Sequence, residues 1–187
     1  MVKLRRYFSI ASLLSIAVAT ITLSMYYRSV SLRELMEMGE HQNVEKTIMM
    51  SNMFGTQLVA FRNLASVLDP AEIRSHPVSK ALDTEVRRVM HGHDVVKVKI
   101  YDMAGKTIYS SDPAQIGEDK SRNGGFVAAR SGHVASELTH RDTFSAFEQM
   151  VKNRDLLSSY VPMRDPVTGT IEGVFELYND VTVFLDK

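Results

Sequence analysis

The hydrophobic pattern of the chain changes period along its length. Tyr7 to Tyr27 contains no charged residue. Those 21 residues would span about 31 Å as a helix, matching a hydrocarbon core of about 30 Å. Tyr7, Tyr26 and Tyr27 stand at its two ends, where amphipathic rings favour the headgroup layer. Lys3, Arg5 and Arg6 precede it with no acidic residue among them, so the positive-inside rule keeps the N-terminus cytoplasmic and sends the rest outward. The competing reading is a signal peptide cut after Ala17-Val18-Ala19. That cut would leave the apolar run Ile21 to Tyr27 on the mature protein, so span length favours an uncleaved anchor. Both readings place the remainder outside the cytoplasm.

From Arg28 to Leu68 the period becomes helical. Met50, Phe54, Leu58, Phe61, Ala65 and Leu68 step by fours and threes. The stripe reads as cover for the chain's own core, with a dimer seam at its membrane-proximal end as the sharper alternative. Asp69-Pro70-Ala71-Glu72 stops this helix and starts a second, with an acidic cap, Pro at the first helical position and Glu three after the cap. A third begins near Pro77, buries Val78, Leu82, Val86 and Val89, and stops at Gly92.

The period then falls to two. Val96, Val98 and Ile100 alternate with Lys97, Lys99 and Tyr101. Asp102 to Gly105 is a turn and Lys106 to Ser111 the returning strand. A polar loop, a short helix over Phe126 to Arg130, and strands at His133 to Thr139, Leu156 to Met163 and Thr170 to Tyr178 follow, with Thr143 to Lys152 ambiguous. The fold class is therefore α+β: a transmembrane helix continuing into a long helix, then a five-stranded antiparallel sheet with helices packed on it. The expected organisation is a cytoplasmic N-terminus at 1–6, an anchor at 7–27, a helical segment at 28–92, the sheet at 93–180 and the start of an exit helix at 181–187.

Composition narrows the chemistry. Lys plus Arg and Asp plus Glu both number 22, so net charge gives no reason to expect nucleic acid. The absence of Cys excludes disulfides, thiolate metal sites and thiol catalysis. There is no Gly-x-Ser-x-Gly elbow, HExxH, Walker loop or Gly-rich dinucleotide turn, so the chain reads as non-enzymatic and no cofactor is expected.

Tyr101-Asp102-Met103-Ala104-Gly105-Lys106-Thr107-Ile108-Tyr109-Ser110-Ser111-Asp112-Pro113, closing on Ile116-Gly117, resembles bacterial extracytoplasmic Cache sensors, the PAS-like domains of the PhoQ, DcuS and CitA type. Leu157 to Met163 with Asp165-Pro166 looks like the family's late strand and turn, Ile171 to Leu177 like its closing strand, and Val181 to Leu185 like the helix returning to the membrane. The resemblance implies a periplasmic signal-input region of an inner-membrane protein such as a sensor histidine kinase or diguanylate cyclase. A small ligand over the sheet would shift the flanking helices, and the N-terminal helix is a candidate homodimer contact. The alternative is an anchored envelope interaction or assembly protein without a ligand. Carboxylate-binding members carry Arg and His where this chain has Ile108, Ser111 and Ser158, so a citrate or C4-dicarboxylate clamp is not expected. Nothing up to Lys187 supplies a second membrane helix or an output domain, so the chain reads as a fragment, a split gene product or a stand-alone sensor subunit.

The expected ligand contacts are Ser111, Arg122, His133, Ser158 and Tyr160, with an apolar wall from Ile108, Ile116 and Phe126. His91-Gly92-His93-Asp94 has metal-ligand residue types without a nearby fourth ligand, and reads as a helix-end loop. Asp112, Glu118, Asp119 and Asp142 are diluted by Lys120, Arg122 and Arg141, and read as a solvated surface rather than a cation site. The topology has a direct test. A periplasm-dependent phosphatase fused after Leu68 is expected to be active and a cytoplasm-dependent reporter there silent; the reverse pattern overturns it.

Overall fold

The computed structural model describes residues 2–147, 149–165 and 167–185. Its elements are α1 (Val2–Ala65), α2 (Pro70–Ser75), α3 (Pro77–Met90), β1 (Val95–Tyr101), β2 (Thr107–Ser110), a 3-10 turn (Pro113–Gln115), α4 (Gly124–Arg130), β3 (Ala135–Ser145), β4 (Met150–Arg164), β5 (Ile171–Asp180) and α5 (Thr182–Leu185). The chain falls into two units, Met1–Met38 and Gly39–Lys187, and α1 contributes to both.

The first unit is helix alone. Its apolar side chains, Leu13, Leu14, Ile16 and Ile21 among them, are exposed. By length and composition this part of α1 is able to cross a bilayer.

The second unit is built on an antiparallel sheet of order β2-β1-β5-β4-β3. Period two gives each strand two faces, and the register aligns them: Val98 lies opposite Leu177 and Ile100 opposite Phe175. These residues and Met163 pack against Met50, Phe54, Leu58, Phe61 and Ala65 of α1, Ile73 of α2, and Leu82, Val86 and Met90 of α3. The stripe read from the sequence is therefore the inner face of α1. Towards Gly39 the interface turns polar. Asn43 Nδ2 donates to Ser159 Oγ at 2.9 Å, and the Ser136 and Ser159 hydroxyls are 2.8 Å apart. A Cβ on Gly39 would lie 2.2 Å from Leu157 Cδ2, so glycine is what admits β4 here.

The local signals act as expected. Asp69 accepts from the backbone N–H groups of Ala71 and Glu72, and Glu72 closes the capping box. His76 Nδ1 caps α3 by accepting from the Val78 N–H. In the β1–β2 turn Gly105 takes φ 93°, a left-handed backbone that a side chain disfavours.

One segment differs from expectation. The ambiguous stretch from Thr143 to Lys152 extends β3 and β4 into a long hairpin, pairing Phe144 with Val151. Its tip folds back onto the start of β1, where the Phe147 N–H donates to Val96 O at 2.9 Å. That contact joins residues far apart in sequence, which local periodicity does not report.

Phe61 is 1% exposed at the centre of the helix–sheet core. Phe61→Ala is expected to cost about 3–5 kcal/mol in chemical denaturation of the detergent-solubilised chain. Gln57→Ala, on the outer face of the same helix, should stay within about 0.5 kcal/mol.

Candidate functional site

The opposite face of the sheet carries a different chemistry. β1 sends Lys97, Lys99 and Tyr101 to it, β5 sends Val174, Glu176 and Tyr178, and β4 sends Ser158 and Tyr160. The register sets them in rows: Lys99 beside Glu176 beside Tyr160, and Lys97 beside Tyr178 beside Ser158. Lys97 is 2% exposed, Lys99 3% and Glu176 1%.

The 112–123 loop, α4 and Phe144 of β3 cover this face. Lys97 Nζ donates to Gln115 Oε1 at 3.3 Å, stands 3.8 Å from Asp112 Oδ2, and lies 4.1 Å from the centroid of the Phe144 ring. Phe144 in turn packs on Tyr178, with centroids 5.1 Å apart. Lys99 Nζ is 3.7 Å from Glu118 Oε2, an oxygen that Lys120 approaches at 3.2 Å. The Tyr101 hydroxyl donates to Glu176 Oε2. Among the described residues Glu176 Oε1 has no hydrogen-bond partner.

An aromatic cluster seals the α4 side. Tyr101 stacks on Tyr160 at 6.4 Å and meets Phe126 edge-on at 5.8 Å. Asn123 caps α4 by accepting from the Phe126 N–H at 2.9 Å. A Cβ on Gly125 would lie 2.1 Å from Tyr160 Cδ2, so this glycine sets how closely α4 approaches the sheet.

Burial governs the ionisation. It pushes Lys97 down to about 8, helped by the like charge of Lys99 and opposed by Asp112, Glu176 and Glu118. Burial also lowers Lys99, against the pull of Glu176 and Glu118. Tyr101, Tyr160 and Tyr178 are pushed up by burial and then by the Glu176 carboxylate, so they remain neutral hydroxyls. The site therefore brings together two lysines, the Glu176 carboxyl group and a set of hydroxyl donors.

Of the residues expected from sequence, Ser158 and Tyr160 lie on this face and are buried. The Ser158 hydroxyl donates to Glu137 O at 3.3 Å. Ser111 is buried at the end of β2, where its hydroxyl accepts from the Val98 N–H at 3.2 Å. Arg122 and His133 are exposed. The expected apolar wall divides, with Phe126 on this face and Ile108 and Ile116 in the helix-side core. Sequence reasoning missed Lys97, Lys99 and Glu176. The available signal was an opposite-charge set, Lys97 and Lys99 with Glu176, at the same period as Tyr101 and Tyr178 on two strands. Among the described residues, no three His, Asp or Glu side chains are grouped to hold a metal ion.

The five-stranded order with helices on one face and a covered polar face on the other matches the α+β architecture of PAS/Cache-like folds. No family model matches the chain, and no curated protein matches it in sequence. Among solved structures it is similar to the sensor domain of the V. cholerae histidine kinase DctB, at 13% identity and TM-score 0.45, covering 79% of this chain and 60% of that one. It is also similar to the E. coli DcuS sensor domain, at 12% identity and TM-score 0.41, covering 74% and 96%. A third is the periplasmic domain of RsbU from Chlamydia trachomatis, at 14% identity and TM-score 0.42, covering 83% and 55%. The chain thus spans about 60% of the DctB domain's length and 55% of the RsbU domain's.

Lys97 has a testable linkage. Its folded value of about 8 lies below the ordinary 10.5, so between those values the unfolded chain binds more protons. Stability is expected to rise as pH climbs from 8 towards 10, with Lys99 adding in the same direction. Lys97→Met should raise the melting temperature at pH 7 and flatten this rise, as read by thermal denaturation across that range.

Proposed function

We propose that this chain is the signal-input region of a membrane-anchored signalling protein. The first part of α1 anchors it in the bacterial inner membrane, and Gly39–Lys187 lies on the periplasmic side. A small ligand binds on the face formed by Lys97, Lys99, Glu176 and Tyr160. The observation that carries this reading is the burial of two neighbouring lysines. Among the described residues the carboxylate oxygens within 4 Å of them are 3.8 Å and 3.7 Å away. Taking two like charges out of water is costly unless partners compensate, and a ligand would supply that compensation.

β1, β4 and β5 connect the two faces of the sheet. A ligand with different affinities for two arrangements of these strands shifts the helices packed behind them, α1 beyond Gly39 and α3. The exposed Ile48, Met49, Met53 and Val59 on the outer side of α1 support a homodimer contact there. The resemblance to sensor kinases and diguanylate cyclases supports an output of that kind.

The test is a thermal-shift screen of the full chain in lipid nanodiscs against small carboxylates, amino acids and nucleosides. A binder at 100 times its Kd adds about 2.7 kcal/mol of stability. At least one compound is expected to raise the melting temperature, with Lys99→Met and Tyr160→Phe reducing the shift and His91→Ala leaving it intact. If no compound shifts the wild type, the reading of a ligand-free envelope interaction protein takes its place.

A further inference from the structure

On the helix side of the sheet, away from the covered polar face, a cavity of about 200 Å³ opens between α3, β2 and Phe61 of α1. We infer that this cavity is a second small-molecule site, and that it takes a neutral one-ring aromatic molecule with a single hydroxyl, a simple phenol, whose hydroxyl pairs with Ser79. The site lies on the opposite face from the ligand of the sensor reading and does not depend on that reading.

One buried hydroxyl sets the recognition. Ser79, Thr84, Tyr109 and Ser110 all line the cavity, and three of them are engaged. Thr84 Oγ1 donates to Lys80 O at 2.9 Å, the Tyr109 hydroxyl donates to Asp83 Oδ1 at 3.0 Å, and Ser110 Oγ accepts from the Asp112 N–H at 3.1 Å. Ser79 is 6% exposed, and among the described residues its Oγ has no hydrogen-bond partner. Serines in helices commonly return the hydroxyl to a carbonyl three or four residues back, as Ser75 does to Ala71 O at 3.2 Å. A buried hydroxyl left unpaired carries the full cost of its lost hydration, and a ligand hydroxyl removes that cost.

Size and wall set the ring. Phe61, Ile108 and Ile116 line the cavity with apolar surface, and each is at most 7% exposed. An apolar cavity of about 150 Å³ is large enough to hold benzene. At about 200 Å³ this one admits a single ring with a small substituent, and it is smaller than the roughly 300–1,000 Å³ of drug-sized pockets.

Charge sets neutrality. Asp83 Oδ2 accepts from Arg87 Nε at 2.8 Å and Oδ1 from Tyr109, so both oxygens are used and no cation is called for. Arg74 and Lys80 are exposed lining residues that water already solvates, and Arg74 Nη1 also donates to Ile116 O at 3.1 Å. An anionic head beside Ser79 would be desolvated one helical turn from the Asp83 carboxylate. The same head turned out towards Arg74 and Lys80 would leave Ser79 unpaired. A neutral hydroxyl meets neither cost.

The test uses the full chain in nanodiscs with isotope-labelled Ile and Val methyl groups. It is titrated by NMR with phenol, with toluene, which lacks the hydroxyl, and with benzoate, which replaces it by an anion. Free concentrations are corrected with empty nanodiscs. Phenol is expected to shift the Ile108 and Ile116 methyl signals saturably while Val174, on the covered polar face, stays unmoved. It should bind about fivefold or more tightly than toluene or benzoate. Ser79→Ala should cut the preference for phenol over toluene below about twofold, with a ligand-free melting temperature at or above that of wild type, since the variant loses an unpaired polar group. The absence of saturable shifts at Ile108 and Ile116 overturns the site. Toluene or benzoate binding as tightly as phenol, or a phenol preference that survives Ser79→Ala, overturns the recognition by Ser79. Shifts confined to Val174 overturn this site while supporting the sensor reading.

Discussion

Removing water from the ammonium groups of Lys97 and Lys99 is the constraint around which half of the second unit is arranged. Such a step costs several kcal/mol per ion even after relaxation, and each neighbouring element answers part of it. β5 places Glu176 directly opposite Lys99. The 3-10 turn brings the amide oxygen of Gln115 to Lys97, and the loop behind it brings Glu118 towards Lys99. α4 comes down far enough to exclude solvent because Gly125 has no side chain to meet Tyr160. The stability that offsets these costs comes from the other face, where α1, α2 and α3 bury an apolar core. The two faces share the three central strands β1, β5 and β4.

Much of this layout was legible in the sequence and part of it was not, for identifiable physical reasons. The stripe from Met50 to Ala65, the capping box at Asp69 and the alternation in β1 are local signals with fixed periods, and each corresponds to an element. Alternation says which residues share a face without saying what covers that face. The alternation puts Lys97 and Lys99 on one face with Tyr101, and the tertiary placement of α4, Phe144 and the 112–123 loop is what buries them. Ser111 was chosen for its polarity beside a candidate pocket, yet its hydroxyl serves the backbone of β1. Ser158 and Tyr160 share the covered polar face because β4 has a clear period of two. The hairpin tip was opaque because Phe147 finds its partners, Val96 and Arg87, at the start of β1 and on α3.

The helix-side interface is uneven along its length. Between Phe54 and Ala65 it is apolar and closely packed. Around Asn43, Thr47 and Ser159 it is a polar layer, and among the described residues Asn43 Oδ1 and Asn179 Oδ1 lack partners. An incompletely satisfied polar layer adheres less than an apolar one. Within this unit, α1 is held most firmly at its C-terminal part, and opening costs least near Gly39.

The position of β3 at the rim of the sheet carries a separate consequence. An eleven-residue strand with one unpaired edge is a template on which another extended chain can grow, and long edges of this kind seed fibrils and mispaired assemblies. Here the rim is guarded by exposed Glu137, His140, Arg141 and Asp142, which an incoming strand would have to strip of water. Their polarity acts as negative selection against unwanted strand exchange, and it lets the hairpin stay long enough to reach across to β1 without becoming a nucleus for aggregation.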